Sequence, residues 1–173
     1  MYDEKKKYTI KEESFLFSCN DKLKNLGYGE WVEEFDRVIF EYMDYECMVH
    51  RAYKGDKKTN LFFSGHLCGY VKIEGKDLLQ NQSAIKQISC HCGITYNSLF
   101  KYNSVYPENW IGFDCAREGD IIPSIEMIRK TSKNCTYKNV EFCMMQCMNI
   151  VNQLIWIEKV ECKTIGKVSD RLE

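Results

Sequence analysis

Two of the chain's three histidines and four of its ten cysteines fall in three short segments that also carry glycine and an aromatic ring. These are Gly65-His66-Leu67-Cys68-Gly69-Tyr70-Val71, Cys90-His91-Cys92-Gly93-Ile94-Thr95-Tyr96 and Trp110-Ile111-Gly112-Phe113-Asp114-Cys115-Ala116-Arg117-Glu118-Gly119-Asp120. Imidazoles and carboxylates move protons or hold cations, thiols beside an imidazole can act as nucleophiles, and glycine lets backbone approach a ligand.

Each chemistry has its bland counterpart. Cys90-x-Cys92 around His91 has the look of a zinc knuckle, but zinc sites pair two knuckles. The only other close pair, Cys143-x3-Cys147, sits on an apolar helical stripe, where cysteine is a small core residue. Read as a strand, the segment puts Cys90 and Cys92 on one face and His91 on the other. The expectation is therefore no metal and no cofactor. A thiol nucleophile at Cys68, Cys92 or Cys115, with His66 or His91 as base, lacks any recognised local signature.

Acid–base work would use His66, His91, Asp114 and Asp120; as plain structure, these residues finish turns and strand ends. Ligand capture without turnover uses the same residues differently. Tyr70, Tyr96 and Trp110 can stack on a ring. Arg117 offers a guanidinium fork to phosphate, and Asp114 or Asp120 accepts hydroxyl hydrogen bonds. Neither Gly-x-Gly-x-x-Gly nor a Walker-type loop occurs, which disfavours the usual dinucleotide and nucleoside-triphosphate folds.

The elements that must position these residues follow from patterning. At 173 residues, 45% apolar and 28% charged, the chain has the size and composition of one globular domain. A net charge of −1 supplies no general field toward nucleic acid or anionic lipid. No apolar run reaches the length of a membrane span, and no apolar stretch follows Met1-Tyr2-Asp3-Glu4. The chain is expected to be cytoplasmic, with its cysteines reduced.

Residues 8–26 carry a helical period ended by Gly27 and Gly29. Strands are expected before and after a Met43-Asp44 turn, then over Leu67 to Ile73, Ile88 to Tyr96 and Trp110 to Phe113. Lys54 to Lys58 reads as a polar loop, and Asn97 to Asn109 as an aromatic, polar insertion. Thr136 is the expected N-cap of a long helix over 137–160 whose stripe is Val140, Cys143, Met144, Cys147, Val151, Leu154 and Ile155. The predicted organisation is an N-terminal extension over 1–30, a single domain over 31–165 and a tail over 166–173. The predicted class is α+β, an antiparallel sheet with the long C-terminal helix packed on one face.

The three segments together, Gly-His-x-Cys-Gly-Tyr-Val, His-x-Gly-Ile-Thr-Tyr and Trp-Ile-Gly-Phe-Asp-Cys-Ala-x-x-Gly-Asp, resemble a family of small phage and prophage proteins. The resemblance runs over about residues 35 to 155, including the long helix. Arg117 stands where the family pattern carries histidine. The resemblance implies a phage setting, and so residence in the host cytoplasm.

The expected function is non-catalytic binding and sequestration of a nucleotide-derived small molecule, an anti-defence role against a host immune signal such as a cyclic ADP-ribose relative. The expected ligand-binding set is His66, Tyr70, His91, Tyr96, Trp110, Asp114, Arg117 and Asp120. The alternative is a hydrolase acting on a nucleotide-type substrate through the His and Asp residues, and a third reading is a protein inhibitor of a host factor. Expected partners are a small phosphorylated ligand and a second copy of the chain, with no membrane and no nucleic acid.

Overall fold

The computed structural model describes residues 8–52, 65–73, 82–97, 109–124 and 134–169. The expected polar loop at 54–58 and most of the 97–109 insertion lie outside them.

Alternation builds the sheet. Strands β1 (Tyr8–Ser14), β2 (Arg37–Tyr42), β3 (Tyr45–Arg51), β4 (Leu67–Lys72), β5 (Tyr96–Asn97) and β6 (Trp110–Asp114) stand in the order β1-β2-β3-β4-β6-β5. Every neighbouring pair is antiparallel. The β2–β3 hairpin turns through Met43 and Asp44, as expected, both with positive φ (50° and 64°) and with Tyr42 opposite Tyr45. Two consecutive left-handed residues match the twist of the flanking strands. Helices α1 (Cys19–Leu26), α2 (Gln82–Lys86) and α3 (Val140–Ser169) complete the described elements, with a single 3₁₀ turn at Glu30–Val32.

Helix α3 lies across β4, β3 and β2. Its Cys143, Cys147, Ile150, Val151 and Leu154 are all buried against the inward set of the strands: Val38, Phe40, Cys47, Val49, Leu67, Val71, Ile111 and Phe113. The expected stripe is thus the core face, and the α+β class with a helix packed on an antiparallel sheet holds. Gly69 permits the close approach: a Cβ there would collide with the Phe113 ring and stand 2.9 Å from Cys147 Sγ. The other face of the sheet carries a second buried cluster of Met48, Cys68, Tyr70 and Trp110. Tyr42 and Tyr45 tie the hairpin to α3 through hydrogen bonds to Asn152 (3.2 Å) and Glu158 (3.0 Å).

Four local expectations are corrected. Residues 8–14 form an edge strand, not the start of a helix, because Tyr8, Thr9 and Ile10 pair with β2; the register shifts between Ile10 and Glu12. The helical period begins only at Cys19, where the Ser18 hydroxyl accepts the amide of Asp21 at 3.1 Å, and Gly27 (φ 76°) ends it. Residues 88–95 are not a strand, because Cys92 and Gly93 take positive φ (54° and 81°) and Gly93 N–H closes a turn on the Cys90 carbonyl at 3.0 Å. Asn139, not Thr136, caps α3, accepting Phe142 N–H at 2.9 Å; Thr136 instead bridges to Asp120. The helix continues to Ser169, so residues 166–169 of the expected tail are helical.

Candidate functional site

The site begins with a buried ionic hub that sequence spacing did not reveal. Arg51 occupies an inward position of β3, in the same alternating set as Cys47 and Val49. Its guanidinium donates to Asp36 Oδ1 (2.7 Å), Glu34 Oε2 (3.2 Å), the Gly65 carbonyl (2.8 Å) and Tyr137 Oη (3.0 Å). Lys22 of α1 meets the same Asp36 oxygen at 2.9 Å, and Asp36 Oδ2 accepts the amides of Leu16 and Phe17. Glu34 also receives Tyr137 Oη–H at 2.5 Å and the amide of Val140 at 3.0 Å. Burial first, and Glu34 beside it, hold the Tyr137 hydroxyl well above the usual tyrosine range against the opposing Arg51 charge. The signal available in the sequence was a charge at an inward strand position, which demands a partner. The partners lie 14 to 86 residues away, so spacing could not name them.

The hub holds the segment before β4. Gly65 is bonded by Arg51, and the His66 carbonyl accepts the Ala52 amide at 2.8 Å. Strand β4 then brings His66 to the third segment, because Cys68 pairs with Asp114 and Cys115 N–H bonds the Leu67 carbonyl at 3.0 Å. Burial pulls the His66 imidazole below its usual pKa; Asp114 and Asp120 oppose that, while Arg51 and Arg117 add to it.

Two carboxylates organise the rest. Asp114 Oδ2 accepts the Thr95 hydroxyl (2.8 Å) and Arg117 Nη2 (2.6 Å), and Oδ1 accepts Ala116 N–H (3.2 Å). Burial disfavours its charge, but Thr95, Arg117 and Ala116 outweigh that and hold the carboxyl below its usual range. Asp120 Oδ2 meets His91 Nε2 at 2.8 Å and accepts Arg117 N–H at 3.0 Å, with Lys138 Nζ 4.0 Å from its other oxygen. The Asp120 side chain is 2% exposed and that of His91 15%. His91 is braced by its amide on Gln146 Oε1 (2.9 Å) and by the rings of Phe142 and Phe113.

Of the eight expected site residues, His66, His91, Asp114, Arg117 and Asp120 therefore gather where β4 begins and β6 ends, joined by Thr95, Lys138 and Gln146, which the sequence had not singled out. Tyr70 and Trp110 are packed in the second cluster, 6% and 5% exposed. Tyr96 rests edge-on against Tyr70 at 5.4 Å and is half-buried, one residue from Thr95.

Four of the thiols, Cys68, Cys90, Cys143 and Cys147, are poorly placed to act. Burial pushes Cys68 and Cys90 up to about 12 and Cys147 well above the usual thiol value. Cys143 is raised too, first by its contact with Cys115, whose sulfur lies 3.6 Å away. Such thiols stay protonated and unreactive at neutral pH. Among the described residues no three His, Cys, Asp or Glu side chains are placed to hold a metal ion. None of the described helices is long and apolar enough to cross a membrane. No protein-family model, curated protein or solved structure matches the chain.

Proposed function

We infer that the β4–β6 end of the sheet captures a small phosphorylated or nucleotide-derived ligand and keeps it intact. The observation that carries this reading is the Thr95–Asp114–Arg117 arrangement. Arg117 is 43% exposed and Asp114 24%, so a guanidinium and a carboxylate stand side by side at the surface, held 2.6 Å apart. The guanidinium suits a phosphate, the carboxylate suits ribose hydroxyls, and the half-buried Tyr96 ring next to Thr95 suits a base. In the phage setting implied by the resemblance, the role is that of an anti-defence sponge for a host immune signal such as a cyclic ADP-ribose relative, acting in the host cytoplasm.

A second reading, hydrolysis of a nucleotide-type substrate, is favoured by one observation. His91 is paired with the buried carboxylate of Asp120, which is how a general base is oriented. One experiment separates the two. Protein purified from cells making the suspected signal is heated and its released small molecules are identified by mass spectrometry. Release of an intact signal supports capture, release of a cleavage product supports hydrolysis, and release of nothing removes both.

A further inference from the structure

We propose that Asp120 is a positioning residue that commits His91 to one tautomer, and that Nδ1 of His91 is the atom this site presents as a fixed hydrogen-bond and proton acceptor. A carboxylate oxygen only accepts, so the 2.8 Å contact to Asp120 Oδ2 places the ring proton on Nε2. The lone pair of the neutral ring is then on Nδ1, for which no described residue supplies a hydrogen bond.

The ring has little freedom to reverse this. Its own backbone amide is tied to Gln146 at 2.9 Å, and the Phe142 ring meets it edge-on at 5.4 Å and 87°. Phe113 stands on the sheet side at 6.5 Å. Asp120 is fixed in turn: the same oxygen takes Arg117 N–H, and the flanking backbone is bonded to Thr136 in both directions at 2.9 Å. A partly exposed imidazole held by a buried carboxylate, both locked by packing, is a preorganised acceptor. Its complement is a hydroxyl or N–H donor, so the group of the ligand that meets His91 is a sugar hydroxyl or an amine, and the phosphate falls to Arg117. This assignment of ligand groups rests on the capture reading; the tautomer does not.

The test uses the full chain with no ligand. Diethyl pyrocarbonate carbethoxylates an unprotonated imidazole nitrogen; in an ordinary exposed histidine the two tautomers exchange freely and the less hindered Nε2 takes most of the adduct. With ¹⁵N-labelled protein at about pH 8, where an ordinary imidazole is neutral, the expected result is a protected Nε2–H resonance for His91 and an adduct on Nδ1. In Asp120→Asn, the protected resonance is lost and the adduct moves predominantly to Nε2. A proton found on Nδ1, a wild-type adduct on Nε2, an unreactive His91, or a variant that keeps the protected Nε2–H each overturns the proposal. If Asp120→Asn does not fold, the wild-type resonance and adduct position decide it alone. Because no ligand enters, failure here leaves the capture reading standing, and failure of that reading leaves this one standing.

Discussion

Asp36 and Arg51 meet in the interior, Oδ1 to Nε at 2.7 Å, with side chains 0% and 1% exposed. Lys22, also 0% exposed, shares the same oxygen. One carboxylate thus holds two buried cations, and through Arg51 it anchors Gly65 and the entry to β4. Removing the carboxylate takes away the anion paired with Lys22 and leaves Arg51 with Glu34 alone. Asp36→Ala is expected to lose about 3–5 kcal/mol, a large share of a domain's stability. Urea denaturation followed by circular dichroism checks this; a midpoint close to wild type would mean that the hub is not formed.

Acid should weaken the fold before it reaches the carboxylate range. His50 and His66 both sit below the ordinary imidazole value of 6.5, burial being the first cause at each. At His50 the Arg37 and Arg51 charges add to the effect and Asp36 opposes it. The unfolded chain takes up these protons near 6.5 while the folded chain resists. Their contribution to stability is therefore complete above that value and lost as pH falls toward the depressed folded values. The denaturation midpoint should drop between about pH 7.5 and about pH 5.5, and His66→Gln should flatten part of that slope. A midpoint that rises on acidification reverses the sign and rejects the argument. Asp114, also depressed, acts in a lower window, below its ordinary 3.8.

Gly112 is required by close contact. A Cβ there would collide with the Gly69 carbonyl oxygen and stand 2.7 Å from Cδ1 of Tyr70, and the carbonyl is fixed in the β4–β6 ladder. Gly112→Ala should cost about 1–3 kcal/mol by overpacking. The loss should appear in thermal melts together with a changed Tyr70–Tyr96 environment in near-ultraviolet circular dichroism. An unchanged melt would show that the two strands have room to part.

The fold was legible where a period was long and regular. The stripe from Cys143 to Leu154 named the helix and its buried face, and the strand expected after Met43-Asp44 is β3. Met43-Asp44 was expected as the turn between two strands and is that turn. What failed was local backbone chemistry. Cys92 adopts a left-handed conformation, and with Gly93 it turns residues 88–95 away from a strand, which apolar content cannot reveal. β1 was missed because its side chains are largely exposed and its pairing with β2 is what makes it a strand. His66, His91, Asp114, Arg117 and Asp120 belong to the set of eight named from the three glycine-bearing segments. Tyr70 and Trp110 took the core role that large aromatics usually take. Lys138, Gln146 and the Lys22–Asp36–Arg51 hub reach the site only through tertiary contacts, which no spacing encodes.

Arg117 and Asp114 give the most direct test of capture. Their contact at 2.6 Å is solvent-accessible, so it contributes little to folding, and Arg117→Ala should change stability by no more than about 0.5 kcal/mol. Its effect on binding should be larger. Without the guanidinium a phosphate loses its cation and faces the Asp114 carboxylate directly. Affinity for the small molecule released from the purified protein should fall by about 1.5–3 kcal/mol. The loss should shrink as salt rises, because the group is exposed. Asp114→Asn keeps the Thr95 contact, removes the charge that competes with phosphate, and gives up the strongest acceptor for a sugar hydroxyl. It should therefore weaken binding of a ligand that carries ribose hydroxyls while sparing inorganic phosphate. Isothermal titration of both variants with the released molecule and with phosphate reads these effects separately. Unchanged affinity in Arg117→Ala removes Arg117 from the site. If Asp114→Asn binds normally while wild type converts the released molecule and the variant does not, capture fails and hydrolysis takes its place.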